Sequence, residues 1–180
     1  MGYSAERDLA EAALAQDRVD RSSGFPPASE HLRAAREGSG LTQRQLADRF
    51  GPEGHLCPDL ELYDDELFTC IAIDDLLHLA RVLETSAPAL LFGAAPPAGV
   101  TPAVTFAEIA DAIRSSLSAT GSTAEAWGDM AGWDVKPILQ DPAALGSFNV
   151  QGVHDVCKAL GVDWVGVLGE HNRRDRPTTR

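Results

Sequence analysis

The stretch LRAAREGSGLTQRQLADRFG, residues 32–51, decides how the chain is read. Gly40 lies between two segments of helical composition, where a left-handed residue ends one helix and redirects the chain into the next. Thr42 and Gln45 have capping-box spacing, in which a hydroxyl satisfies a free backbone N–H and the later side chain reciprocates. Two helices joined by a tight turn are predicted.

The pattern recurs. A shift of 81 residues superposes Gly40 on Gly121, Thr42 on Thr123, Asp48 on Asp129 and Gly51 on Gly132, and the apolar or small positions Leu32, Leu46 and Ala47 on Ile113, Trp127 and Gly128. Further on, a shift of 77 superposes Ile73 on Val150, Leu76 on Val153, Ala80 on Cys157, Leu83 on Leu160 and Leu91 on Leu168. The first copy therefore carries about four extra residues in its middle, and matched positions at a fixed offset indicate a duplicated unit. Ser122 with Glu125, and Thr105 with Glu108, repeat the capping-box spacing and mark further helix starts.

Five segments follow. Residues 1–27 read as an amphipathic helix, with Leu9, Ala12, Ala13 and Leu14 near one face of the stretch Ser4–Val19, ending in a linker that Gly24, Pro26 and Pro27 keep from being helical. Residues 28–92 form the first unit, 93–104 a Pro/Gly/Ala linker, 105–168 the second unit and 169–180 a basic flexible tail. The predicted fold class is all-α, with four or five short helices in each of two tandem units.

Composition narrows the class. The chain has 180 residues, 44% of them apolar, enough for one sizeable core or two small ones. No window approaches the ~18–20 uninterrupted apolar residues of a membrane span, and the first residues are charged and alanine-rich rather than signal-like. A cytoplasmic location with no membrane contact is expected. Three cysteines, Cys57, Cys70 and Cys157, at irregular spacing read as reduced thiols. His55, Cys57, Cys70 and His78 could supply soft ligands, but their spacing forms no tight zinc knuckle, so no metal is assigned. No glycine-rich phosphate loop, nucleophile elbow or histidine-glutamate zinc motif is present. We expect no cofactor and no enzymatic activity.

Residues 32–51, together with the run Ile73–Leu83 and Ser86, Leu90 and Leu91 beyond it, resemble the opening and closing helices of a lambda-repressor-like, Xre-type helix-turn-helix domain. The resemblance covers most of residues 30–92, and its second copy is divergent. It implies that Ala47 lets the second helix approach the third, with Leu32 and Leu46 beneath their crossing. It also implies a bacterial DNA-binding transcriptional regulator, in which Gln43 opens the second helix and contacts phosphate while Arg44, Arg36 and Arg33 add positive charge. The family commonly binds two half-sites as a dimer. A homodimer is therefore expected, or an internal pseudo-dimer of the two copies.

Charge points elsewhere. The net charge is −12, and from Gly51 through Ala80 there are eight Asp or Glu residues and no Lys or Arg, in the region where the family places its groove-reading helix. Each carboxylate facing DNA there would meet like charge. The rival expectation is an acidic scaffold of the same shape, of adaptor, antitoxin, immunity or DNA-mimic type, that binds a protein and no DNA. Its partner surface would be the acidic loop carrying Asp59, Glu61, Tyr63, Asp64, Asp65 and Glu66, or the copy that holds Trp127, Trp133 and Trp164. Arg173, Arg174, Arg176 and Arg180 in the tail could grip phosphates or fold back on the acidic surface.

Overall fold

The computed structural model describes residues 26–94 and 103–172. The expected N-terminal helix, most of the linker and the arginines of the tail lie outside them. Among the described residues the chain is all-α, with no β-strand. Its helices are α1 (Ala28–Gly38), α2 (Gln43–Phe50), α3 (Cys57–Leu60), α4 (Glu66–Thr69), α5 (Ile73–Val82), α6 (Ala87–Phe92), α7 (Phe106–Thr120), α8 (Ala124–Ala131), α9 (Lys136–Gln140) and α10 (Val150–Leu160). Tighter 3₁₀ turns occupy Pro52–Leu56, Pro142–Ser147, Trp164–Leu168 and Glu170–Asn172.

Local chemistry explains most boundaries. Thr42 and Thr105 each form the reciprocal capping box, with Gln45 and Glu108, and so open α2 and α7. At α8 the expected box shifts by one residue. Thr123, not Ser122, is the cap, its hydroxyl accepting from the Ala126 N–H. Gly40 and Gly121 adopt φ of 68° and 65°, the left-handed conformation that only glycine takes without a Cβ clash. Pro137 sits in the first turn of the five-residue α9, where its missing N–H has no intrahelical partner to lose, and Pro142 follows its end, because a proline has no N–H to continue the ladder.

Element starts keep the offsets of the sequence match. α2 and α8 begin 81 residues apart, as do their capping threonines; α5 and α10 begin 77 apart, as do α6 and the turn Trp164–Leu168. The surplus of the first half has a definite place. Five residues, Glu61–Asp65, join α3 to α4, where Asp141 alone joins α9 to the turn that follows it.

The two halves share one continuous core rather than facing each other across a linker. Buried residues from both, including Leu32, Leu46, Leu76, Ile109, Trp127 and Val153, belong to a single cluster. At the seam, Ala72 and Asn149, 77 residues apart, form an isolated antiparallel bridge, and the Ile73 N–H donates to the Phe148 carbonyl at 2.8 Å. The Asn149 amide N–H₂ donates to the Thr69 carbonyl at 2.6 Å, while its oxygen caps α10 by accepting from the Gly152 N–H. α5 packs on the turn Pro142–Ser147 and α10 packs on α4, so matching pieces exchange matching contacts.

The folded body extends past the expected boundary at Leu168. Asn172 is buried; its side-chain oxygen accepts from the Phe106 N–H at 3.0 Å, and its amide donates to the carbonyls of Val104 and Val167 at 2.7 and 2.9 Å. A buried amide with its donors and acceptor matched fastens the chain end to the start of α7.

Candidate functional site

The residues that the resemblance assigns to DNA lie on α1 and at the start of α2. Arg33 and Arg36 are nearly one turn apart, and Gln43 is the first residue of α2. The inserted turn brings Glu61 into the angle between those helices, at 1% exposure. Its carboxylate accepts from Arg36 Nε at 2.5 Å and Nη2 at 3.0 Å, and from Gln43 Nε2 at 2.9 Å. Arg36 Nη1 donates to the Leu41 carbonyl at 2.8 Å, and Arg33 Nη2 donates to the Glu61 carbonyl at 2.6 Å. The hydrogen bonds from Arg36 to Glu61 raise the guanidinium's pKa; burial opposes that rise, and the charges of Glu61 and Glu37 add to it.

Three of the four expected DNA contacts are thus drawn to a single acidic residue. Arg44 is the exception and stands exposed on α2, as does Arg49 near that helix's end. In the second half, offset 81 puts Leu117 where the first has Arg36, and there is no inserted carboxylate. Arg114, the counterpart of Arg33, still donates to a main-chain carbonyl near the end of the third helix, that of Leu139, at 2.8 Å. The arginine-to-carbonyl clasp is therefore common to both halves, and the Arg36–Glu61–Gln43 set belongs to the first.

The acidic loop is not one continuous surface. Asp59 is exposed; Asp64 and Asp65 are half-buried; Glu61, Tyr63 and Glu66 are buried. Asp64 accepts from the backbone N–H and the hydroxyl of Ser29, at 3.1 and 2.5 Å, and so supplies the anion that the first turn of α1 favours. The loop's composition made it look solvent-facing, whereas the carboxylates of Glu61 and Asp64 find donors within the fold.

The tryptophans divide by position. Trp127 is buried at 3% exposure with its N–H donated to Ser116, and Trp133 is half-buried, its ring tilted against Phe148 and its N–H donating to Asp155. Trp164 lies at the other edge of the seam. Its ring meets Phe92 at 5.7 Å and His154 at 5.8 Å, and Phe92 in turn meets Phe68 at 6.4 Å. These rings line an open cleft of about 410 Å³, with Asp155 and Pro26 also on its wall. Phe92 remains 39% exposed.

Among the described residues no group of three or more His, Cys, Asp or Glu side chains is placed to hold a metal ion, and no helix is long and apolar enough to cross a membrane. The cysteines are unpaired; Cys57 and Cys157 are buried and Cys70 is exposed. Reading the sequence missed Glu61 as an organising residue. The available signal was a glutamate inside the surplus turn together with an arginine at a position that is leucine in the second copy. No known protein family matches the chain, and no curated protein or solved structure is similar to it.

Proposed function

We propose that this chain is an acidic helix-turn-helix scaffold that acts by binding a basic protein partner and does not read DNA. The observation that carries the reading is Glu61. A phosphate approaching the start of α2 would be expected to meet the Gln43 amide and the neighbouring guanidinium groups. Here Gln43 and Arg36 are hydrogen-bonded to an internal carboxylate instead, and Arg33 to its main chain. A net charge of −12 adds long-range repulsion toward any polyanion and attraction toward a cationic protein.

The DNA-regulator reading retains one specific support, the exposed Arg44 beside the start of α2, and the resemblance itself. A band-shift series on mixed-sequence duplex across rising salt separates the two. The scaffold reading expects no retardation even at low salt. Retardation that weakens steeply as salt rises, with Arg44→Ala flattening the slope, would install the regulator instead. In a lysate of the source cell, the immobilised chain is expected to retain a basic protein that salt elutes. Retention of nucleic acid alone would count against the proposal.

A further inference from the structure

The outer face of α8 is left uncovered among the described residues. Met130 is 67% exposed there, and Glu125, Ala126 and Asp129 are exposed beside it. Past the end of that helix the backbone folds back on it. Gly132 adopts φ 78°, and the next residue, Trp133, donates its main-chain N–H to the Gly128 carbonyl at 3.0 Å. A Cβ at position 128 would lie 2.6 Å from the Trp133 carbonyl oxygen, so the turn closes onto α8 only because that position is glycine. Between α8 and the start of α9 this leaves an open recess of about 360 Å³, with Glu125, Asp129, Asp134 and Lys136 on its wall.

The charges of that wall do not balance. Lys136 Nζ pairs with Glu125 at 2.6 Å, bridging α9 to α8, and the Lys136 main-chain N–H donates to Asp134 at 3.0 Å. Asp129 has neither a hydrogen bond nor an ion pair among the described residues. Three carboxylates therefore share one ammonium. The first half carries no such excess, since offset 81 puts Arg44 where the second has Glu125. Building on the basic-partner reading, on which this rests, we infer that the outer face of α8 is where that partner docks and that the recess receives a lysine or arginine side chain from it. Charge complementarity selects the occupant. A long cationic side chain brings its charge to Asp129 and Asp134 while its methylenes leave water. Met130, next to Asp129 on the exposed face, offers an unbranched apolar contact that adapts to the residues flanking that side chain. A nucleic acid or an acidic segment would meet like charge at the same place.

Titrating the full chain with a pentalysine amide, followed in ¹H–¹⁵N spectra, tests the assignment. The largest shifts are expected at the amides of Asp129, Gly132 and Asp134. Asp129→Asn with Asp134→Asn is expected to weaken binding about tenfold, whereas Asp48→Asn with Asp59→Asn, which removes the same charge from exposed positions of the first half, changes it by less than about twofold. Asp134 also bonds the main chain of α9, so far-ultraviolet dichroism is recorded for each variant. Should the first pair fail to fold, Asp129→Asn alone decides, with an expected loss of about threefold. Equal weakening by the two pairs, shifts spread over the whole acidic surface, or no binding overturns the recess. A wild-type chain that retains a basic protein from lysate, with the Asp129→Asn, Asp134→Asn chain retaining it equally well, also overturns the recess and leaves the scaffold reading standing.

Discussion

Glu61 shows how much one side chain can hold in place. It is 1% exposed and receives donors from two helices, so its charge is stabilised by Arg36, which is itself nearly buried. Removing only the anion takes from a nearly buried guanidinium its bidentate carboxylate and leaves it the Leu41 carbonyl and a longer contact to Glu37. Glu61→Ala is therefore expected to lower unfolding free energy by about 3–5 kcal/mol in urea titrations. Replacing both members with apolar residues, Arg36→Leu with Glu61→Leu, should cost clearly less than the single change, as the leucine at position 117 foreshadows. Equal losses in both variants would show that the ion pair is not what matters. The buried thiols add a pH dependence. Burial, aided by the charges of Glu61 and Asp163 respectively, pushes Cys57 up to about 11 and Cys157 up to about 12 from the ordinary 9.0. The unfolded chain thus releases these protons first as pH rises. Their contribution to stability is complete below pH 9 and is lost progressively toward pH 11 and 12. Between about pH 8 and about pH 10, the urea midpoint of the wild type should fall further than that of Cys157→Ala.

At the scale of elements, the two halves offer paired comparisons. The residue that ends α5 and redirects the chain toward α6 is Glu84, at φ 53°, the one non-glycine with positive φ among the described residues; offset 77 makes its counterpart Gly161, at φ 68°. Left-handed backbone costs a residue with a Cβ about 1–2 kcal/mol, against which glycine's greater unfolded-state freedom is a smaller loss. Glu84→Gly is therefore expected to raise the melting temperature modestly, by about 0.5–1 kcal/mol of stability, and Gly161→Ala to lower it by a similar amount. A fall in the first variant would mean that the Glu84 side chain makes a contact worth more than the strain. The helices themselves are short, and α3, α4 and α9 are one turn or little more. Helices of that length do not hold themselves in water, so they persist because buried side chains such as Leu60, Leu67 and Ile138 anchor them.

Across the whole molecule, the seam joins the two halves into one body with a shared core. The bridge between Ala72 and Asn149, the Ile73 N–H to Phe148 bond and the Asn149 amide on Thr69 all cross it. Because the core is continuous through this point, the halves should unfold together. Tryptophan fluorescence, whose three indoles all lie in the second half, is expected to coincide with far-ultraviolet dichroism in urea. Asn149→Ala removes both the cap of α10 and the bond to Thr69 and should destabilise by about 1–3 kcal/mol, moving both transitions equally. Two separated transitions in the wild type would mean independent domains.

By itself the sequence determined the all-α class, the helix starts at Thr42 and Thr105, the left-handed turns at Gly40 and Gly121, the offset between matching elements and the existence of a four-residue surplus. These are set by neighbours a few positions apart, through hydroxyl caps, missing Cβ atoms and apolar spacing, so a linear reading reaches them. The tertiary structure alone decided that the halves merge through equivalent segments, that Asn172 ties the end of the body to α7, and that Glu61 turns inward to Arg36 and Gln43. Whether a carboxylate faces water or a guanidinium depends on atoms 18 to 25 residues away. Periodicity and charge counts contain no record of that distance; only the packing of α1, α2 and the inserted turn brings those groups within bonding range.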